Sequence, residues 1–253
     1  MGKGGGRGSP DDTRTTVPRY PIHTGLHNGG IKPAAPYGLD TSFATLADEL
    51  KSSNYSTHII GKWHLGFCNK KYWPTRRGFD HHYGFLLGSQ SYYDHRRDVW
   101  ENGSITALGY DFRNDDAVDT EARGTYSTTL FQNRVVEVIR QQDPSKPLFL
   151  YLPFQSVHAP VEVPQVYQKM YSHVKDEGRQ KYLGMVTAMD DAVGNITEAL
   201  KATGLYHNTI IVFLSDNGGG LHSYGSNWPL RGGKGTIFEG GTRTPAFIHS
   251  PRY

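Results

Sequence analysis

Pro147-Leu148-Phe149-Leu150-Tyr151-Leu152-Pro153-Phe154, followed at once by Gln155-Ser156-Val157-His158, is the stretch that decides how this chain folds. A short apolar run without alternation, set off by Pro144 and Pro147, reads as a strand buried on both faces. A second run of this kind is Thr209–Leu214, and shorter strands are expected at about Thr57–Gly61 and Ala246–His249. Between them lie amphipathic helices. One is expected from Asp40 or Thr41, with Phe43, Leu46, Ala47 and Leu50 on one face. Another runs from about Thr125 to Gln141, with Phe131, Val135, Val138 and Ile139 as its stripe. The clearest spans about Asp176–Thr203, from Tyr182 through Met185, Met189 and Val193 to Leu200, with Gly204 placed as the residue beyond its end.

Helices alternating with fully apolar strands imply an α/β fold: a parallel or mixed sheet with helices on both faces. In such sheets ligands bind beyond the carboxyl ends of the strands. Residues 1–16 are Gly-, Arg- and Asp-rich without periodicity, and are expected to be a disordered or non-native leader before a domain at 17–253.

The 253 residues suffice for a sizeable core. The net charge of +3 is not gathered into a basic run, so nucleic acid is not an expected partner. Neither apolar run is long enough to cross a bilayer, and no signal peptide opens the chain. Cys68 is the only cysteine, so no internal disulfide can form. Against a cytosolic reading stand three glycosylation sequons, at Asn54, Asn102 and Asn195.

The strand ends carry the candidate chemistry. Gly61-Lys62-Trp63-His64 follows the first strand, Gln155-Ser156-Val157-His158 the second, and Ser215-Asp216-Asn217-Gly218-Gly219 the third. Leu230-Arg231-Gly232-Gly233-Lys234-Gly235 adds a glycine-rich loop with a cation. Asp216 and Asn217 offer hard oxygens to Ca²⁺ or Mg²⁺. Lys62 and Lys234 offer positive charge to an anion, and His64 and His158 offer proton transfer near neutral pH. Taken singly, each has a plainer reading as a turn, a solvated lysine or a core histidine. Their shared position after successive strands is what favours a site.

At this point a family resemblance can be stated. Arg19-Tyr20-Pro21-Ile22-His23-Thr24-Gly25-Leu26, Gly61-Lys62-Trp63-His64-Leu65-Gly66, Pro74-Thr75-Arg76-Arg77-Gly78-Phe79-Asp80, Gln155–His158 and Asp216–Gly219 stand in the order of the sulfatase family. Asn227-Trp228-Pro229-Leu230-Arg231-Gly232 with Lys234 resembles its arylsulfatase B, I and J subgroup. The resemblance implies an alkaline-phosphatase-like fold and hydrolysis of sulfate esters of sugars or aryl alcohols. It implies one Ca²⁺, held in part by Asp216 and Asn217, and a formylglycine nucleophile made from cysteine by the formylglycine-generating enzyme. Lys62 and His64 match residues contacting the formylglycine and the sulfate; His158 and Lys234 match residues at the bridging oxygen. A full-length parent would be lysosomal or secreted.

Three departures qualify that expectation. The C-x-P-S-R motif that yields formylglycine is absent, and Cys68 lacks its context. The early apolar strand ending in paired aspartates is missing, as are the subgroup's disulfide cysteines; Ala34 and Ala35 stand where some relatives carry one. The chain also stops before the smaller C-terminal domain. The expectation is therefore an incomplete sulfatase catalytic domain, inactive as it stands. Two rivals are a non-catalytic remnant that binds sulfated glycans and a phosphodiesterase or phosphatase of the same superfamily.

Overall fold

The computed structural model describes residues 16–252 except 28, 34, 102 and 103, together with the backbone but not the side chains of the rest of 98–108. The expected leader at 1–15, Ala34 and the sequon asparagine Asn102 lie outside the described residues. In chain order the elements are α1 (Leu46–Ser52), β1 (Ser56–Lys62), β2 (His81–Phe85), β3 (Arg96–Glu101) and β4 (Ser104–Tyr110). Next come β5 (Arg113–Asn114), β6 (Ala117–Val118), α2 (Ser127–Gln141), β7 (Leu148–Tyr151) and α3 (Gln165–Lys169). The last are α4 (Glu177–Ala202), β8 (Ile211–Leu214), α5 (Glu239–Thr242) and β9 (Ala246–His249).

The main sheet runs β6-β5-β2-β1-β7. β1 is parallel to both of its neighbours, β2 and β7, whereas β5 and β6 join antiparallel at the far side, so the sheet is mixed. Alternation along β1 shows why its two isoleucines stand side by side. Ile59 packs into one core with Leu39, Ala47, Trp63 and Phe79. Ile60 packs into the other, with Phe131, Val135 and Ile139 of α2 and Leu200 of α4. β7 divides likewise: Phe149 and Tyr151 face the first core, Leu150 and Leu152 the second. A strand sandwiched between two apolar layers has no polar face to show.

α1 begins later than its periodicity suggests. Thr45 caps it, accepting the Asp48 N–H at 3.1 Å while the Asp48 carboxylate accepts the Thr45 N–H at 2.8 Å. Asp40 instead closes a turn, accepting the Ser42 N–H at 2.8 Å. Leu46, expected on the apolar face, is exposed, and Ala47 takes the buried position. Behind α1 the segment Pro74–Asp80 is a brace. Buried Arg77 donates to the carbonyls of Leu39 and Phe43 at 3.0 and 2.7 Å, and Asp80 accepts the Thr57 N–H at 3.0 Å. Thr16, assigned to the leader by sequence, is buried, and its carbonyl accepts the Leu46 N–H at 2.8 Å. At the other end of the fold Gly204 follows α4 with φ 77°, as expected of the residue that terminates it.

β8 and β9 pair antiparallel as a separate ribbon. Ile211 reaches the second core, but Val212, Leu214, Phe247 and Ile248 are exposed. β2, the β3–β4 hairpin, β5 and β6 were not expected from the sequence.

Candidate functional site

Lys62 ends β1, and its N–H donates to the Pro153 carbonyl beyond β7 at 2.9 Å. Two residues on, the backbone carries His64 at φ 59°, and its N–H donates to the Leu86 carbonyl at 3.1 Å. The His64 ring lies against Gly88, where a Cβ would fall 2.7 Å from the imidazole. Its Nε2 is 3.1 Å from the Ile31 carbonyl.

His158 sits in the loop after β7. That loop is pinned by a buried polar network rather than by regular structure. Gln155 donates through Nε2 to the Gln90 carbonyl and accepts from the Ser127 hydroxyl at 3.1 Å. Tyr92, fully buried, donates its hydroxyl to the His158 carbonyl at 2.8 Å. The His158 Nδ1 is 2.7 Å from the Ala159 carbonyl.

The electrostatics bring distant segments together. The His158 pKa is pulled down to about 4, first by burial and then by the positive charges of Lys234, Lys62 and Arg97; the hydrogen bond to Ala159 works in the opposite sense. A lysine at the end of β1 and another in the glycine-rich loop thus act on one imidazole. Arg97 is a further cation, one that no sequence pattern singled out. Its Nη1 donates to the Ser89 carbonyl at 2.8 Å, next to the glycine that supports His64.

The loop after β8 is tied to the glycine-rich loop by Asn227. Asn227 Oδ1 accepts the Gly219 N–H at 2.8 Å, and its Nδ2 donates to the Gly219 and Gly232 carbonyls at 2.9 and 3.2 Å. The Lys234 N–H donates to the same Gly219 carbonyl at 3.1 Å. Asp216 is exposed, whereas Asn217 Oδ1 is buried and lacks a hydrogen-bond partner, as a cation ligand would. Two side-chain oxygens supply part of the six to eight that Ca²⁺ takes. Among the described residues no group of three or more His, Cys, Asp or Glu side chains is arranged to hold a metal. The residues present therefore fit a fraction of a calcium shell. No cysteine fits a formylglycine precursor, since exposed Cys68 is followed by Asn69-Lys70-Lys71-Tyr72 rather than by the residues that the motif requires.

Two sequon asparagines are described. Asn54 is exposed in the turn after α1, whereas Asn195 is exposed midway along α4 with its Nδ2 donating to Gln132 at 3.0 Å. No described helix is long and apolar enough to cross a membrane.

The sulfatase family model matches residues 12–253. The chain belongs to the sulfatase family. It is 45% identical to mouse arylsulfatase J over 244 residues, covering 96% of this chain and 40% of that protein. It is 29% identical to human N-acetylgalactosamine-6-sulfatase, covering 96% of this chain and 48% of the relative. The chain therefore spans less than half the length of these curated relatives. Among solved structures, Ps i-CgsB in complex with k-i-k-neocarrahexaose superposes with a TM-score of 0.86 at 32% identity, over 96% of this chain and 55% of that one. PsFucS1 sulfatase from Pseudoalteromonas sp. superposes with a TM-score of 0.71 at 23% identity, over 97% of this chain and 52% of that one, which speaks to the fold alone. The alkaline-phosphatase-like mixed sheet is thus that of the sulfatases.

Within this sulfatase domain, Asn227 and Tyr92 are residues whose roles sequence reading missed. Asn227 stands inside a family-like motif, so its presence was legible while its clamping role was not. Tyr92 carried no signal, because its partner is a backbone carbonyl 66 residues away.

Proposed function

We propose that this domain binds and, in a protein that supplies the nucleophile, hydrolyses the sulfate esters of sugars. The observation that carries the reading is the joint action of Lys62 and Lys234 on His158. Positive charge aimed where negative charge develops is the largest lever available to a hydrolase of anionic esters. Lys62 and Lys234 balance the sulfate oxygens and the bridging oxygen. His158 is neutral at pH 7 because burial and these cations disfavour its protonation. A bound sulfate offsets the cations, raises the proton affinity of His158, and lets it hold a proton at the bridging oxygen of the leaving alcohol. His64, fixed against Gly88, serves the sulfur side. Calcium at Asp216 and Asn217 would add charge stabilisation to the sulfate oxygens.

The structural neighbour crystallised with k-i-k-neocarrahexaose and the relatives named N-acetylgalactosamine-6-sulfatase support a sulfated sugar as substrate. The exposed Asn54 sequon supports passage through the secretory route to a lysosomal or extracellular destination. The lack of a formylglycine motif supports a second reading for the chain alone, as a sulfated-glycan-binding remnant. The test is a chimera in which residues 16–253 replace the matching segment of arylsulfatase J, co-expressed with the formylglycine-generating enzyme. Sulfate release from a sugar sulfate, reduced ~10²-fold or more by Lys234→Ala, is expected. Hydrolysis of the matched phosphate monoester in preference to the sulfate ester overturns the reading.

A further inference from the structure

Leu86 and Leu87 continue β2 past the point where the sheet pairs it. β1 matches β2 only as far as Lys62 opposite Phe85, and β5 matches it only at Tyr83 and Gly84. Both leucines are buried, so their N–H groups need partners away from water. Asp111, itself buried, supplies them. One carboxylate oxygen accepts the Leu86 N–H at 3.1 Å and the other accepts the Leu87 N–H at 2.8 Å. The carboxylate thus stands where a longer β5 would have paired, and hydrogen bonds to an ionised acceptor are the stronger kind.

What this segment carries is His64. The Leu86 carbonyl accepts the His64 N–H at 3.1 Å. Gly88 lies so close to the His64 ring that a Cβ there would fall 2.7 Å from Cε1 and Nε2. Asp111 therefore grips the short run against which both the backbone and the ring of His64 rest. His64 itself stands at φ 59°, a conformation that a residue with a side chain keeps only where its surroundings impose it.

Charge ties Asp111 to the other half of the site. Burial raises its pKa, while the Leu86 and Leu87 amides, Arg113 and Arg97 act to lower it. Arg97 is among the cations that act on His158, and its Nη1 donates to the carbonyl of Ser89, the next residue of the same segment.

Resting on the reading that His64 serves the sulfur side of a sulfate ester, we propose that Asp111 is a positioning residue for that reaction. Its carboxylate fixes Leu86–Gly88 as the seat of His64, with Arg97 braced on Ser89 just beyond.

The first test is amide hydrogen exchange, read by NMR on the 253-residue chain. Asp111→Asn leaves one oxygen to accept where two amides donate. The amides of His64, Leu86 and Leu87 should then exchange ~10-fold or more faster, with those of Ile59 and Ile60 unchanged. Asp80→Asn, which alters the carboxylate that accepts the Thr57 N–H at the far end of β1, should leave His64, Leu86 and Leu87 as they are. The second test is turnover in the arylsulfatase J chimera. Asp111→Asn should lower kcat ~10-fold or more at nearly constant KM, and Asp80→Asn should change neither. Gly88→Ala, which keeps the carboxylate and displaces the His64 ring, should lower kcat in the same way. Exchange that quickens evenly over the whole sheet overturns the proposal. So does a kcat unmoved by Gly88→Ala, even where Asp111→Asn does not fold. A chimera that releases no sulfate overturns the sulfate-ester reading and the catalytic role with it, while the exchange pattern still decides whether Asp111 seats His64.

Discussion

The Tyr92 hydroxyl donates to the His158 carbonyl at 2.8 Å, from a ring that is itself fully buried and stacked on Tyr126 at 5.2 Å. Tyr92 follows β2 and His158 follows β7, so this hydrogen bond, together with those of Gln155, ties the loop that carries the imidazole to the segment after β2. Tyr92→Phe leaves a buried carbonyl without this donor. It should cost about 1 kcal/mol of stability, read as a lower denaturant midpoint at unchanged slope. It should also weaken binding of an aryl sulfate, whereas Tyr93→Phe, at a half-buried neighbour, should change neither.

Without added sulfate the His158 imidazole should titrate at about 4, visible in the pH dependence of its NMR resonances. Burial is the first cause and Lys234 the second, so Lys234→Ala should raise the value, and Lys62→Ala should raise it by less. Saturating inorganic sulfate should raise it too. A value unmoved by either substitution would mean that the lysines do not act on this ring.

His82 is fully buried in β2, both of its ring nitrogens lack hydrogen-bond partners, and burial holds its pKa down at about 4. The unfolded chain binds a proton there near the ordinary value of about 6.5. The native state is thus favoured above that pH, and the advantage drains away as pH falls from about 6.5 toward 4. The loss amounts to something on the order of 3 kcal/mol. Denaturant melts at pH 7, 6, 5 and 4 should show this slope, and His82→Leu should reduce it, leaving the part that comes from His58 and His158, whose pKa values are also held down at about 4.

The β8–β9 ribbon shows Val212, Leu214, Phe247 and Ile248 to solvent, at 56%, 45%, 53% and 75% exposure. An apolar strand pair of this kind invites self-association. Sedimentation velocity should show concentration-dependent oligomers that Ile248→Lys diminishes without shifting the thermal midpoint by more than a few degrees.

The 253-residue chain should give no measurable turnover of an aryl sulfate, because Cys68 is its only cysteine and lies outside any formylglycine motif. Charge effects without a nucleophile retain ~10³–10⁴ over the water reaction, too little for a sulfate ester in a routine assay. Multiple-turnover sulfate release, lost on His158→Ala, would contradict this.

How far the sequence was legible depended on where each residue's partners lie. β7 and α4 could be read because their signals are local: a continuous apolar run between prolines in one, a long 3–4 spacing in the other. The start of α1 was misplaced because Asp40 and Thr45 are both good caps, and only the Asp48 partner of Thr45 decides between them. β2, with two histidines, a glycine and an aromatic at each remaining position, has no apolar run to announce it; its burial comes from the layers above and below. In the site, Lys62 and His158 were found from their places after strands and Lys234 from its glycine-rich loop, and their common electrostatics followed from the crossing of the chain. Arg97 and Tyr92 act through backbone carbonyls and through space, which leaves no pattern in sequence.

The account stands or falls on whether Lys62 and Lys234 hold a sulfate ester against His158. Calorimetric titration of 4-nitrophenyl sulfate into the 253-residue chain, alone and as Lys62→Ala, Lys234→Ala and the double variant, measures this directly. Binding that weakens ~10-fold or more in each single variant, and vanishes in the double, is expected. Binding of equal strength in all four proteins would show that these cations do not form the site.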